Sequence, residues 1–461
     1  EEVKARGKSL DFKYTNAYGV VQSEGLLEDG EYEGTWKYYN KYGVITSEEN
    51  YKDGELEGKN TEFYASGSVE NIYYYEKGVS NGRFRAFNLN GTLSLEGYYI
   101  DGQLAGPITY FNLNEDTTSQ RYYIDNTRQG PTYFRSNTGK IENVELYKNG
   151  YFFGEIHYDT AGVVYDSILF PLDRSMVEKK YPNGNIAYRI PMENGYFNGQ
   201  AEYYFPDGKI RTQGSFVMDE YDGEWIYHQG NGELDFKRNY ELGDLQGVST
   251  FYYDGTGEKQ REITYLGDLR NGKTISYYRN GAVSFEATYI NSERHGEVKY
   301  LAPDGTIQMI LHYSYGYLLG YSYLDASGKQ VEMIPFERGT GTINATFPNG
   351  KTAVQGEFVN GNIHGTITFY NTNGKVLSEE NYEHGEFHGT YKEYHVNGKL
   401  AEEKEYSFDS LNGSYKVYYS NGNLCFEKNY ISGEIEGEAT FYNKNKTVKA
   451  KWYYFNGKLL Y

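Results

Sequence analysis

Residues 378–389 read SEENYEHGEFHG. His384 and His388 stand four apart between carboxylates, and imidazole nitrogens with carboxylate oxygens are the donor set of a zinc site. Residues 47–58 read SEENYKDGELEG and match that stretch almost position for position, with Asp53 in place of His384 and Glu57 in place of His388. A ligand pair exchanged in another copy reads as two tolerant turn positions. His295, His364 and His388 each precede a glycine, so they are one repeat position seen three times. Neighbouring units would hold them about 10 Å apart, too far to share an ion. Only His384, His388 and His395 could converge, and no metal site is assigned.

Other chemistry is equally sparse. The phosphate-loop, zinc-protease and nucleophile-elbow motifs are absent, and the lone Cys425 has no visible activating partner. Asn112, Asn114 and Asp116 imitate the start of a calcium loop, but Thr117 stands where its glycine belongs and Tyr123 where its glutamate belongs, so a polar turn is expected. The pairs Glu48-Glu49 and Glu379-Glu380 occupy one repeat position and read as a solvated face rather than a glycosidase dyad. Cys425, in NLCFEKNY, reads as a packed side chain at the place held by Phe236 and Phe285 in other units. The expectation is a protein that is not an enzyme, with no catalytic residue and no cofactor.

What positions these residues is a period. A glycine opens each aromatic segment (Gly34, Gly58, Gly82, Gly106, Gly130), mostly at steps of 24, and a second series (Gly43, Gly67, Gly91) usually follows nine later. Eight residues after the second glycine comes Tyr or Phe in nearly every unit, from Tyr51 to Tyr430. The run Thr35–Tyr39 alternates as a half-buried strand should. A loop ending at Gly43 reverses the chain, Val44–Tyr51 returns it, and Asp53-Gly54 supplies the positive φ angles of a tight turn. A hairpin this small cannot bury its apolar face alone and must stack on its neighbours. The fold class expected is all-β: an elongated antiparallel β-hairpin repeat array, about 19 units of 24 residues.

Two units are short. From Gly154 to Ser175, and again from Gly320 to Gly341, the spacing falls to 21, with Pro171 and Pro335 close by. A change of twist or curvature is expected at both, giving segments 1–170, 171–336 and 337–461, the last with a C-terminal cap.

Composition bounds the partners. With 54 Tyr and 24 Phe but 38% hydrophobic residues overall, aromatic stacking must replace an aliphatic core. The net charge of −19 repels phosphate backbones and anionic head groups, so nucleic acid is not expected as a partner. No apolar stretch is long enough for a transmembrane helix, and no direct membrane insertion is expected. The opening residues lack an initiator Met, which reads as a processed, exported chain of the bacterial periplasm or surface, with the cytoplasm as the alternative.

The beat Tyr51-Lys-Asp-Gly54-Glu-Leu-Glu-Gly58, followed by an aromatic strand and a turn such as Asn397-Gly398, resembles the MORN-repeat variants common in bacteria, over roughly residues 7–461. The resemblance implies a β-hairpin array used as a scaffold, and bacterial variants often carry an antitoxin label. Three functions follow as expectations. The first is a non-catalytic scaffold with protein partners along the extended face, in an envelope-associated complex. The second is a glycan or cell-wall binding module using Trp36, Trp225 and outward tyrosines. The third is an antitoxin-like intracellular binder.

Overall fold

The computed structural model describes the chain except residues 1–3, 7–8, 17–18, 137, 160, 171–174, 182, 456 and 460–461. Pro171, one of the two prolines at the short units, lies outside the described residues. Among the described residues every element is a β-strand, and every pairing of strands is antiparallel. The chain forms two compact units, Glu1–Pro171 and Leu172–Tyr461. The first holds one sheet of 19 strands and the second holds two, of 16 and 13 strands, meeting between Pro335 and Gly341.

Each hairpin is built as its turn chemistry requires. Strands Glu31–Tyr39 and Ile45–Lys52 are joined by a loop in which the Asn40 side chain accepts the N–H groups of Tyr42 (2.9 Å) and Val44 (3.1 Å). Asp53 and Gly54, at φ 50° and 79°, form the return turn, a left-handed pair that an Asp-Gly sequence tolerates. The Gly54 N–H then donates to the Tyr32 carbonyl (3.0 Å), tying each turn to the one before it.

The register carries a feature that simple alternation does not. Trp36 faces Glu49 and Tyr38 faces Ser47, but Tyr39 faces Ile45, so Thr46 is an extra residue. The same bulge recurs in hairpin after hairpin. A bulge re-aims side chains, and here it sends two successive residues inward: Ala353 with Val354, Ala401 with Glu402, and Cys425 with Phe426 are all buried. This corrects the placing of Cys425. Phe426 faces Val417 as Phe236 faces Tyr227, so Phe426 holds the place of Phe236, and Cys425 is the bulged residue before it.

In the second unit the ribbon doubles back at the short unit Gly320–Gly341. The Gln308 side chain donates to the Tyr370 carbonyl (2.7 Å), Thr372 to Asp304 (2.6 Å) and the Trp452 indole to the Gly230 carbonyl (2.9 Å). Each pair straddles the segment Arg338–Gly341, as the two halves of a folded strip must. Between the halves lies a core of Met309, Leu311, Ile343, Val354, Phe358 and Ile367, all at most 1% exposed. Each such side chain contributes roughly 1.5–3 kcal/mol of hydrophobic stabilisation.

Trp36 and Trp225 occupy equivalent places, each 1% exposed. Their indole N–H groups donate to the Leu26 and Ser215 carbonyls, both at 3.0 Å. Each ring lies flat over a glycine, Gly25 or Gly214, whose missing Cβ leaves the space it fills. Gly214→Ala should therefore cost about 2 kcal/mol through overpacking, and the smaller ring of Trp225→Phe should recover part of that loss. A double-mutant cycle by denaturant melts that showed no coupling between the two sites would contradict this packing.

Candidate functional site

The face that carries Trp36 is an inner ladder running along each sheet, made by the second and fourth residues after each entry glycine, as Trp36 and Tyr38 follow Gly34, and their partners on the returning strand. In the second unit this ladder changes character between residues 379 and 430. There Glu380, Glu393, Glu402, Lys404 and Lys428 point inward in successive hairpins, opposite Ile367, Glu402, Glu393, Tyr391 and Tyr415 respectively.

The facing sheet answers these charges. Arg279 donates to Glu402 at 2.5 Å across the core, Lys404 pairs with the same carboxylate, and Lys428 lies 3.8 Å from Asp254. Arg279 also lies over the Tyr253 ring at 4.1 Å, and Lys404 over that of Tyr415 at 4.7 Å. Burial alone would raise the Glu402 and Asp254 pKa values, but the lysines outweigh it and hold both carboxyls below their usual range. Glu393 and Asp235 are less well matched. Burial pushes Glu393 up to about 7, with Arg279 opposing and Glu402 adding to the rise. Burial and then the Asp254 charge push Asp235 up to about 7 as well. Beside them opens a cleft of about 580 Å³ lined by Arg279, Glu393, His395, Tyr419 and Lys449 among others.

The first unit carries the same ladder without that cover. The two clusters of buried side chains that join facing sheets lie wholly in the second unit. In the first, Tyr38, Tyr51, Tyr73, Tyr75, Tyr99 and Tyr110 are half-buried on the inner face, as Tyr203, Tyr227 and Tyr382 are in the second. The first unit's Tyr74 and Tyr98, on the outer face, are 42% and 44% exposed.

The residues marked out in the sequence lie apart. His384 sits in a return turn at φ 51°, as Asp53 does. His295, His364 and His388 make one recurring contact, packing at a tilt against the rings of Tyr315 (4.4 Å), His384 (5.6 Å) and Phe408 (4.4 Å) of the next turn. His395 instead donates to the Tyr418 carbonyl (2.8 Å), so the three histidines that could have converged serve three different local contacts. Asn112 accepts the N–H groups of Asn114 and Asp116, both at 2.9 Å, and Glu115 at φ 63° replaces the missing turn glycine.

Two expectations need correction. Trp36 and Trp225 cannot stack on sugars, because neither ring reaches the surface. Nor are the acidic pairs one solvated face. Glu379 points outward, but Glu380 turns into the core, where Ser378 (3.0 Å) and Tyr382 (2.8 Å) donate to it. The core charges were missed for the same reason. Their signal was a run of charged residues at ladder positions of successive units, Glu380, Lys404 and Lys428, where elsewhere such charges as Glu49 and Glu145 are not clustered in this way.

The sign of one pH effect follows. Glu393 and Asp235 hold protons in the folded protein that an unfolded chain has lost well below neutrality, so raising the pH through 7 removes them at the expense of the folded state. Stability should fall as the pH rises from about 4.5 to about 7 and level off above that, and Glu393→Gln should flatten that slope. Denaturant midpoints that rose over this range, or a variant with the wild-type slope, would contradict the assignment.

The family model of the MORN repeat variant matches residues 197–218, 270–291, 363–384, 387–407, 411–432 and 446–461. No curated protein matches the sequence. Solved structures that resemble the chain include the crystal structure of TcdB2-TccC3-Cdc42, at 10% identity and a TM-score of 0.24, covering 91% of this chain and 26% of that one. The crystal structure of TcdB2-TccC3-TEV matches at 10% identity and a TM-score of 0.23, covering 96% and 26%. The chain thus spans about a quarter of the length of those solved chains. With its 24-residue hairpins and six matched regions between residues 197 and 461, the chain is a MORN-repeat-variant protein.

Proposed function

We propose that this repeat protein is a non-catalytic scaffold that docks protein partners on the inner face of its first unit. The observation behind this reading is the contrast within one chain. A single ladder meets a returning sheet in the second unit, where Met309, Ile343 and Phe358 close a two-sided core, while among the described residues of the first the buried side chains build no such core. Tyrosine suits such a surface, since its ring offers a large rigid contact while its hydroxyl tolerates water until a partner arrives. A sheet of this kind gains about 10 Å of length per hairpin, so a partner lying along several hairpins reaches the 1,000 Å² or so that a specific protein interface needs. The net charge of −19 argues for a protein rather than a nucleic acid on this face. The glycan reading loses its two tryptophans to the interior.

A photo-crosslinking amino acid at Tyr75, on the inner face, should capture a discrete protein in the cells that produce the chain. The same group at Tyr74, on the outer face, should not. Capture only from position 74, or from neither, would overturn the proposal.

A further inference from the structure

One repeat position carries an arginine in both units, and its surroundings differ. In the first unit, Arg128 lies over the Tyr147 ring at 3.8 Å. Its Nε and Nη2 donate to Thr132 Oγ1 at 3.1 and 2.9 Å, and Nη2 reaches Glu145 at 3.2 Å. The guanidinium is satisfied by a ring, a hydroxyl and a carboxylate.

In the second unit the same steps along the chain from Arg270 lead to Thr274, Ala287 and Tyr289, and from Arg294 to Val298, Leu311 and Tyr313. The rings are kept, with Arg270 at 5.5 Å from Tyr289 and Arg294 at 5.4 Å from Tyr313. The carboxylate is gone twice, replaced by Ala287 and Leu311. Arg294 makes do with the hydroxyls of Tyr289 (3.1 Å) and Tyr313 (3.0 Å). Thr274 is 4% exposed, and its Oγ1 has no hydrogen-bond partner. A third guanidinium, Arg261, has a buried Nε that is also unpartnered.

These groups line one cavity of about 340 Å³. Glu380 and Glu393 also line it, but among the described residues neither is ion-paired with Arg261, Arg270 or Arg294. Burial would raise the Tyr289 pKa, yet Arg294 and Arg270 outweigh it and hold the phenol below its usual value. Burial and then the charge of Arg270 lower that of Arg261. The Tyr289 shift reports positive charge gathered around its hydroxyl, inside a chain that is acidic as a whole.

We infer that this cavity binds a small oxyanion, a molecule presenting a phosphate or paired carboxylates, which supplies the counter-charge that Glu145 supplies to Arg128. Guanidinium forks match carboxylate and phosphate oxygens in bidentate geometry, and the orphan hydroxyl of Thr274 donates a further hydrogen bond. The volume suits a ligand at the small end of the usual range. The inference is independent of docking on the first unit.

Calorimetric titration of the full chain at constant ionic strength tests it, with inorganic phosphate and succinate as probes. The wild type should bind at least one of them saturably. Arg270→Gln and Arg294→Gln should each weaken that binding tenfold or more, while Arg128→Gln leaves it unchanged. Ala287→Glu restores the carboxylate of the repeat and should abolish binding while circular dichroism shows the fold intact, so lost binding there cannot be put down to unfolding. Cosedimentation with phosphatidylcholine vesicles containing phosphatidic acid, lost in Arg270→Gln, would assign the anion to a lipid head group. Phosphate binding without cosedimentation would assign a soluble molecule. No saturable binding of either probe by the wild type, or undiminished binding by Arg270→Gln, would overturn the inference.

Discussion

A ribbon one hairpin wide has two faces and no third layer, so an aromatic face has to find cover or remain half in water. That constraint governs the second unit. Its inner ladder supplies far more ring and aliphatic area than neighbouring strands can hide, and the chain meets the demand by folding the ribbon on itself at Arg338–Gly341. The positions of Met309, Leu311, Ile343 and Phe358 in a single core follow from that reversal. So do the contacts between residues as far apart in sequence as Gly230 and Trp452.

Doubling back has an electrostatic consequence. Once two ladders face each other, any charge on either is removed from water, and a charge so placed is tolerated only with a partner and hydrogen bonds. Arg279 with Glu402 and Lys428 with Asp254 meet that condition across the sheets. Glu393 and Asp235 meet it less well, and burial shifts their protonation toward neutrality instead. Such pairs add little net stability compared with apolar residues of the same size. They do distinguish registers, because Arg279 meets the carboxylate of Glu402 only in the register observed. In a repeat array, where hydrophobic pattern alone cannot tell one register from the next, that pairing specifies how the strip closes.

The parts of this fold legible in the sequence are those fixed by local backbone requirements. Asp53-Gly54 and the turn at Gly43 need positive φ angles that few residues tolerate, so the hairpins and their period can be read directly. The bulge was not legible, because it breaks the two-residue alternation by which faces are assigned. The placing of Cys425 is a separate matter, since Phe426, and not Cys425, stands four residues after its turn glycine as Phe236 and Phe285 do. The burial of Trp36 and Trp225 depends on a glycine across the hairpin, and nothing local to the tryptophan announces it. The pairing of Arg279 with Glu402, 123 residues away, was hidden by the repetition itself, since similar units offer many equivalent partners.

The same repetition makes the molecule its own control. A residue in one unit can be compared with its counterpart in another, in the same backbone setting, so a difference between them isolates the side chains. Arg128 shows what this position needs when it is complete: a ring, a hydroxyl and a carboxylate. Arg270 keeps the ring and has a hydroxyl within the same cavity, yet it has lost the carboxylate, and the hydroxyl is left without a partner. Had the carboxylate been lost through drift in a purely structural array, the half-buried cation would be expected to go with it, because a charge withdrawn from water without a partner is destabilising. Retaining Arg270, Arg294 and Arg261 around one cavity without their counter-ions is the pattern expected where the missing charge comes from outside the chain.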